Sequence, residues 1–227
     1  MTAASEGFQF FKMRPIKGCF LLFAGIALAA GRADEPVNLD TVKAELAAYH
    51  DSGRYERAIQ AKVDDGISFL EQYDRAKSVN PIVVLDIDET SLSNYDYMKS
   101  IDFGYEDRSF VAWVEAGKAK AIPATLQLFR RAKDLGFKVF FITGRRESVR
   151  AATKANLEGE GFVGFDGLIM RPDDDQRGSV VPFKSGARRE LARTGTIVLN
   201  VGDEWSDLDG FPAAKSIKLP DPFYLVP

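Results

Sequence analysis

Two acidic clusters in the sequence have the residue types and spacing to bind a cation and to attack phosphorus. Asp86 and Asp88 are two residues apart, directly after an apolar run. In an extended chain both carboxylates point to the same side, where their charges repel unless a cation lies between them. Asp203 and Asp207 are four residues apart and share one face if the chain turns helically there. Such oxygen-rich surroundings favour hard cations such as Mg²⁺.

A hydroxyl group and a lysine accompany these acids along the chain. Thr143, Gly144 and Arg145 follow another apolar run, and backbone N–H groups at a strand-to-helix turn can hold an anion. Lys184 lies two residues after Pro182, where a lone lysine is usually solvated. Together these groups could carry phosphoryl transfer. One carboxylate attacks phosphorus, a second protonates the leaving oxygen, and the cation and lysine neutralise the transferring group.

Short apolar, β-branched runs alternate with helical patterns over most of the chain. The predicted strands are 81–87, 137–142, 167–170, 196–201 and 215–219. The predicted helices between them are 122–135, 148–157 and 184–193. This alternation predicts an α/β fold of the Rossmann-like kind, with a parallel central sheet flanked by helices. Ligands bind at the carboxyl ends of such strands, so the acids, the threonine and the lysine should meet there.

Residues 91–121 interrupt this alternation and carry many aromatic side chains. We expect a small helical or irregular cap, inserted after the first strand and covering the site. Phe110 and Trp113 stand at helical spacing and are expected in the core. Tyr95 and Tyr105 lie in less regular sequence, where core packing and stacking on a substrate ring are both open.

The start of the chain has the pattern of an export signal. Basic residues precede an apolar run over 19–30, which is short for a membrane span, and small residues then precede Asp34. We expect a signal peptide over 1–33, with Met13 as an alternative start and a membrane anchor as the weaker interpretation. The mature protein would be periplasmic or secreted, without stable membrane association. It would also lack Cys19, the single cysteine, so no disulfide is expected.

The remaining organisation is an N-terminal helical extension over 34–80, with two helices broken near 51–53, followed by the α/β domain over 81–227.

With 30 basic and 33 acidic residues, the formal charge of −3 gives no basic excess for a nucleic acid polymer. The single histidine, His50, cannot supply both histidines of a phosphohistidine mechanism, and we expect it to be a surface or packing residue.

In this order the motifs resemble those of the haloacid dehalogenase-like (HAD) hydrolase superfamily. The resemblance rests on the segments VVLDIDET over 83–90, FFITGR over 140–145, Lys184, and VGDEWSD over 201–207. The spelling of the first segment, and the sequence KLPDPFY that ends at Tyr224, look more narrowly like the secreted acid phosphatases of subfamily IIIB, class C. The resemblance implies a HAD-type parallel fold with an inserted cap.

The resemblance also implies roles for the acidic residues. Asp86 would be the nucleophile, and Asp88 the general acid and base. Mg²⁺ would be bound by Asp86, by the backbone carbonyl of Asp88 and by Asp203. Asp207 would support the metal shell or coordinate the metal through water.

The phosphate group and the rest of the substrate have their own expected contacts. Thr143 and Lys184 would hold the phosphate, beside Gly144 and Arg145. Tyr95, Tyr105 and Tyr224 are the candidates for stacking on a ring, which makes nucleoside monophosphates one substrate class and broad specificity another.

The expected activity is Mg²⁺-dependent hydrolysis of small phosphate monoesters through an aspartyl-phosphate. Two alternatives stay open on the sequence. The same intermediate could phosphorylate an alcohol, or the chain could be a non-catalytic storage or phosphate-binding protein on the same scaffold. The oligomeric state is also open, with a homo-oligomer among the alternatives.

Overall fold

A five-stranded parallel sheet lies at the centre of the computed structural model, which describes residues 36–225. The signal peptide predicted over 1–33 lies outside the described residues. The strands are β1 Ile82–Leu85, β2 Leu92–Ser93, β3 Lys120–Ala121, β4 Lys138–Arg146, β5 Gly167–Arg171, β6 Ile197–Gly202 and β7 Lys215–Lys218. The helices are α1 Leu39–Asp51, α2 Arg54–Gln72, α3 Tyr95–Ser100, α4 Asp107–Glu115, α5 Pro123–Asp134, α6 Arg150–Gly159, α7 Val181–Leu191 and α8 Trp205–Leu208.

The order of the strands brings the sequence motifs to one edge of the sheet. The order is β5-β4-β1-β6-β7, and every neighbouring pair is parallel. All four residues of β1 are buried, as expected for an apolar strand covered on both faces. The predicted α/β fold with a parallel sheet is confirmed, and the carboxyl ends of β1, β4 and β6 lie side by side.

Two element boundaries differ from the predicted ones near the site. β4 continues to Arg146, because its pairing with β5 resumes after an irregularity and joins Arg146 to Arg171. The segment 143–145 therefore lies within a strand and not in the predicted strand-to-helix turn. Helix α7 begins at Val181 and not at Lys184, since Pro182 is accommodated in its first turn.

Helix α2 packs against the sheet and α1 packs against α2, in one compact unit that begins at Val37. Gly53 separates α1 from α2 with a φ of +71°, a left-handed conformation that glycine adopts without steric cost. The buried residues of α2 belong to the same hydrophobic core as β1. Gly66 allows this close approach, because a Cβ there would lie 2.9 Å from the Ile217 side chain.

The insertion over 91–121 contains α3 and α4 and is closed by a short antiparallel pair, β2 with β3. The insertion expected to be helical or irregular is helical in α3 and α4 and also contains this pair, in which Leu92 faces Ala121. Within residues 36–225, no helix combines the length and the apolar character needed to cross a membrane.

Candidate active site

Asp86 is the first residue after β1, and pairing within the sheet fixes its position. Its backbone N–H donates to the carbonyl oxygen of Val201 at 3.0 Å, which continues the pairing with β6. The hydroxyl of Ser91 donates to the carbonyl oxygen of Asp86 at 2.6 Å. Asp86 is only 5% exposed. Its carboxylate is therefore held at the carboxyl end of the central strand.

Asp203 and Asp207 are placed by the end of β6 and by the short helix α8. The backbone N–H of Glu204 donates to Asp207 Oδ2 at 2.9 Å. The side-chain amide of Asn200 donates to the carbonyl oxygen of Asp207 at 2.8 Å. A Cβ at Gly202 would lie 2.2 Å from the Cβ of Asp207. Only glycine at the end of β6 lets this helix fold back over the strand.

Three carboxylates converge in what we call the acid cluster, Asp86, Asp203 and Asp207. One carboxylate oxygen of each lies within 4.8 Å of the others, and all three residues are buried. Lys184 Nζ, from α7, donates to Asp86 Oδ1 at 2.8 Å and also to Asp207 Oδ1. Three carboxylates against one ammonium leave an excess of negative charge in an oxygen-only environment. This donor set fits a hard divalent cation such as Mg²⁺.

Burial and mutual repulsion shift the pKa values in the acid cluster. Burial raises the pKa of Asp86 to about 7, with the charge of Asp207 adding to the shift and that of Lys184 opposing it. Burial raises the pKa of Asp203 well above its usual range, and the charges of Asp207 and Asp86 add to this shift. Burial alone would lower the pKa of Lys184, but the charges of Asp207 and Asp86 outweigh it and raise that pKa. The lysine therefore stays protonated while the carboxylates compete for compensating charge.

Asp88 is held by Arg145, which the sequence had placed on the substrate. Arg145 Nε lies 3.1 Å from both oxygens of the Asp88 carboxylate, and a terminal guanidinium nitrogen donates to Oδ1 at 2.7 Å. The Arg145 side chain is 1% exposed and also donates to the Thr153 hydroxyl. Arg145 also lines the cavity, and within it the guanidinium is hydrogen-bonded to Asp88, a partner that the sequence did not predict. Burial raises the pKa of Asp88, but the charge and hydrogen bonds of Arg145 outweigh it and lower that pKa.

Thr143 and Gly144 lie beside this pair, in β4. Thr143 is fully buried, and its hydroxyl accepts a hydrogen bond from the backbone N–H of Arg145 at 3.1 Å. Gly144 lines the cavity, and a Cβ there would meet Val180 at an ordinary 3.7 Å. Gly144 thus reaches the cavity wall as part of a strand, whereas the Thr143 side chain is buried behind it.

A cavity of about 590 Å³ opens above the acids. Asp86, Asp88, Lys184, Asp203 and Asp207 all line it. Its other walls include apolar side chains from the cap and from the C-terminal segment, among them Met98, Phe110, Val111, Val114, Phe223 and Leu225. The cavity therefore joins a charged reaction centre to an apolar space large enough for an organic group.

Comparisons with known proteins identify the family of this chain. Residues 27–227 match the family model described as HAD superfamily, subfamily IIIB (acid phosphatase). The chain belongs to the subfamily IIIB acid phosphatases. This assignment confirms the resemblance seen in the motifs, and it makes the protein a phosphomonoesterase, the enzyme class expected from the sequence.

Individual relatives of this acid phosphatase come from plants and bacteria. Acid phosphatase 1 of Solanum lycopersicum is 36% identical over 177 residues, which cover 76% of this chain and 69% of that protein. Vegetative storage protein 1 of Arabidopsis thaliana is 31% identical over 202 residues, covering 84% and 74%. The class C acid phosphatase structure from Bacillus anthracis superposes with a TM-score of 0.69 at 23% identity, covering 81% and 86%, and this likeness supports the fold.

Two of the three tyrosines predicted to stack on a substrate line the cavity of this acid phosphatase. Tyr105 is 70% exposed and its hydroxyl donates to Asp107 at 2.7 Å. The Tyr224 hydroxyl donates to Asp203 Oδ2 at 3.1 Å. Burial and the charge of Asp203 raise the pKa of Tyr224 well above its usual range.

The third tyrosine, Tyr95, lies outside the cavity, and its expected place beside the substrate is corrected. Its ring stacks on His50 with centroids 3.4 Å apart, and its hydroxyl donates to Asp51 at 3.1 Å. Both partners belong to α1, so Tyr95 packs the cap against the N-terminal extension. This contact also gives His50 the packing role expected from the sequence.

Three residues at the site were missed by reasoning from the sequence alone. Phe110, expected in the core, is half-buried and lines the cavity. Glu89 is fully buried and adopts a φ of +49°, in the left-handed region. Its carboxylate accepts hydrogen bonds from the backbone and side-chain amides of Asn94. The polar run that follows the first acidic motif was the available signal, but it does not tell which side chains turn inwards.

Proposed function

We propose that this acid phosphatase hydrolyses phosphate monoesters through a covalent intermediate on Asp86. The convergence of the acid cluster with Lys184 supports this proposal above all. Asp88 takes up a proton when the negatively charged ester binds beside it, because that charge opposes the lowering of its pKa by Arg145. Asp86 then forms a bond to phosphorus, the ester P–O bond breaks, and Asp88 gives this proton to the leaving oxygen. Asp88 then takes a proton from the water that cleaves the aspartyl-phosphate, which frees Asp86 and releases phosphate.

The acid cluster would hold Mg²⁺ through Asp86 and Asp203, with Asp207 coordinating directly or through water and the backbone carbonyl of Asp88 as a further ligand. Bound there, the cation would neutralise negative charge on the transferring phosphoryl group. Lys184 contributes a fixed positive charge next to the nucleophile. Gly144 borders the same space, and its backbone, with the adjacent Thr143, would bind the phosphate oxygens.

Replacing the nucleophile tests this function. We expect Asp86→Asn to lower kcat for p-nitrophenyl phosphate with Mg²⁺ by about 10³-fold or more, because the amide cannot form the phosphorylated intermediate. Asp134→Asn is the matched control, since Asp134 is an exposed acid that does not line the cavity. Equal activity of Asp86→Asn and the wild type would refute the assignment.

The substrate proposed for this site carries an aromatic or nucleoside group on its phosphate. The apolar walls and the exposed ring of Tyr105 support this proposal. We expect Tyr105→Ala to raise KM for nucleoside monophosphates several-fold while KM for a small sugar phosphate changes little. Similar kcat/KM values across nucleotide and sugar phosphates would contradict a stacking role.

We further propose that the protein works outside the cytoplasm, in the periplasm or as a secreted enzyme. The basic and apolar pattern over 1–33 supports this location. The mature protein is then expected to begin near Asp34, which N-terminal sequencing checks. A mature chain that retains residues 1–33 would contradict cleavage.

A storage role is the second candidate, favoured by the likeness to a vegetative storage protein. The presence of both Asp86 and Lys184 supports catalysis over storage. Binding of phosphate and Mg²⁺ without turnover of any phosphate monoester would favour storage.

A further inference from the structure

We propose that Trp113 of the cap is a positioning residue for Asp88 and acts through the side-chain amide of Asn94. Trp113 Nε1 donates to Asn94 Oδ1 at 2.9 Å. Asn94 Nδ2 in turn donates to Asp88 Oδ1 at 2.8 Å and to a carboxylate oxygen of Glu89 at 3.0 Å. The inference rests on the proposed function, in which Asp88 is the general acid.

The side chain of Asn94 is diverted from the role that its position favours. Asn94 precedes the first residue of α3, where asparagine usually accepts hydrogen bonds from the N–H groups of its own helix. Its side chain makes no such bond. It is 2% exposed and directs its amide towards Asp88, Glu89 and Trp113.

The indole group of Trp113 fixes the orientation of the Asn94 side-chain amide by donating to its oxygen. The indole N–H is a donor only, so it must face Asn94 Oδ1 and leaves the NH₂ group for the carboxylates. Without that donor the buried Oδ1 would have no partner among residues 36–225, which is unfavourable for a buried acceptor. The amide would then shift towards another donor and would draw its NH₂ group away from Asp88.

The contact with Asn94 distinguishes the two oxygens of Asp88. Oδ1 accepts from a terminal nitrogen of Arg145 at 2.7 Å and from Asn94, besides Arg145 Nε. Oδ2 accepts from Arg145 Nε alone among the residues described, at 3.1 Å. Since donors already surround Oδ1, the transferable proton belongs on Oδ2. Asn94, held by Trp113, therefore acts together with Arg145 to keep Oδ1 occupied and to leave Oδ2 for the leaving group.

The dependence of the rate on the leaving group can isolate this effect. The value of kcat/KM covers the steps up to departure of the leaving group, and it excludes hydrolysis of the intermediate. An alkyl alkoxide needs a proton as it leaves, whereas p-nitrophenolate leaves with little help. The ratio of kcat/KM for glycerol 2-phosphate to kcat/KM for p-nitrophenyl phosphate thus reports how well Asp88 is aligned.

We expect Trp113→Phe to lower this ratio about tenfold, since the ring is kept and the N–H is lost. Asn94→Ala should lower the ratio at least as far. The double variant should match Asn94→Ala alone, because Trp113 acts through Asn94. Ser109→Ala is the matched control in α4. Its hydroxyl contacts Tyr97 and the Glu106 carbonyl, and the ratio should stay at the wild-type value.

Several outcomes would overturn the inference. An equal fall of kcat/KM for both substrates would mean that Trp113 has a general structural role. If the fall in the ratio for the double variant equals the product of the falls for the two single variants, Trp113 does not act through Asn94. If Trp113→Phe does not fold, an unchanged ratio in Asn94→Ala is decisive against it. A wild-type protein inactive on both substrates would refute the proposed function, and the inference with it.

Discussion

At the scale of single residues, Lys184 provides the positive charge that lets buried carboxylates lie close together. Its Nζ contacts Asp86 and Asp207, and its side chain is 7% exposed. Removing one partner from such a buried arrangement leaves charges without compensation, which is strongly destabilising. A divalent cation at the same carboxylates would share this compensating role.

We therefore expect Lys184→Met to lower kcat by about 100-fold or more and to lower the unfolding midpoint in metal-free buffer. Added Mg²⁺ should raise that midpoint more in the variant than in the wild type, because the cation replaces lost positive charge. Thermal unfolding with and without Mg²⁺ measures both effects. Lys154→Met, at an exposed lysine of α6, should behave like the wild type. An equal response to Mg²⁺ in all three proteins would contradict this account.

Residue types at strand ends were enough to predict which acids meet. Asp86 and Asp203 follow apolar strands directly, so the topology of a parallel sheet determines their meeting point. The partner of Arg145 was not predictable, since its position does not tell whether a guanidinium faces a substrate or a neighbouring carboxylate. The contacts of Asn94 with Asp88 and Trp113 were not predictable for a related reason, because an asparagine before a helix usually caps that helix.

At the scale of elements, α1 and α3 are joined by polar contacts at Asp51. The Tyr95 hydroxyl and Lys99 Nζ donate to its two carboxylate oxygens, at 3.1 and 2.9 Å. We expect Tyr95→Phe to reduce the free energy of unfolding by about 0.5–1 kcal/mol, since the ring stack on His50 remains. Its kcat and KM should stay unchanged, in contrast to Tyr105→Ala. A raised KM for nucleotides in Tyr95→Phe would restore Tyr95 to the substrate site.

The segment after β5 is held by a second polar group, centred on Asp175. Hydrogen bonds from Arg177 lower the pKa of Asp175 well below its usual value of 3.8. A hydrogen bond from Arg171 and the positive charge of Arg171 add to this shift. Because the folded pKa is the lower one, ionised Asp175 stabilises the fold above about pH 4. This contribution is lost as the pH falls towards the folded pKa.

Asp175→Asn should accordingly lower the unfolding midpoint by a similar amount at pH 7 and pH 5. The difference from the wild type should shrink below the ordinary pKa of 3.8. Asp174→Asn, at the exposed neighbouring acid, is the control that should show no such difference. A difference that stays constant down to pH 3 would show that the charge of Asp175 is not what stabilises the segment.

Periodicity predicted the existence of most elements but not all their ends. Pairing between strands extended β4 to Arg146, and this depends on a neighbour that is distant in sequence. Pro182 looked like a boundary before α7, yet proline is tolerated in the first turn of a helix. The pair β2 with β3 is too short to leave a period in the sequence.

At the scale of the whole molecule, the alternation of strands and helices predicted a parallel sheet. It did not predict where the N-terminal helices pack. An amphipathic stripe shows that a helix is packed, but it does not show against which surface. Here α2 enters the same core as β1, so the extension helps to build the body that carries the acids.

The antiparallel pair of β2 and β3 brings both ends of the cap to one point of the scaffold. The segment between β2 and β3 could therefore be replaced, by evolution or by design, without moving the acidic residues of the site. Such a replacement would change which substrates the cavity accepts. Any replacement segment would have to preserve the hydrogen bond from the Trp113 indole to the Asn94 side chain.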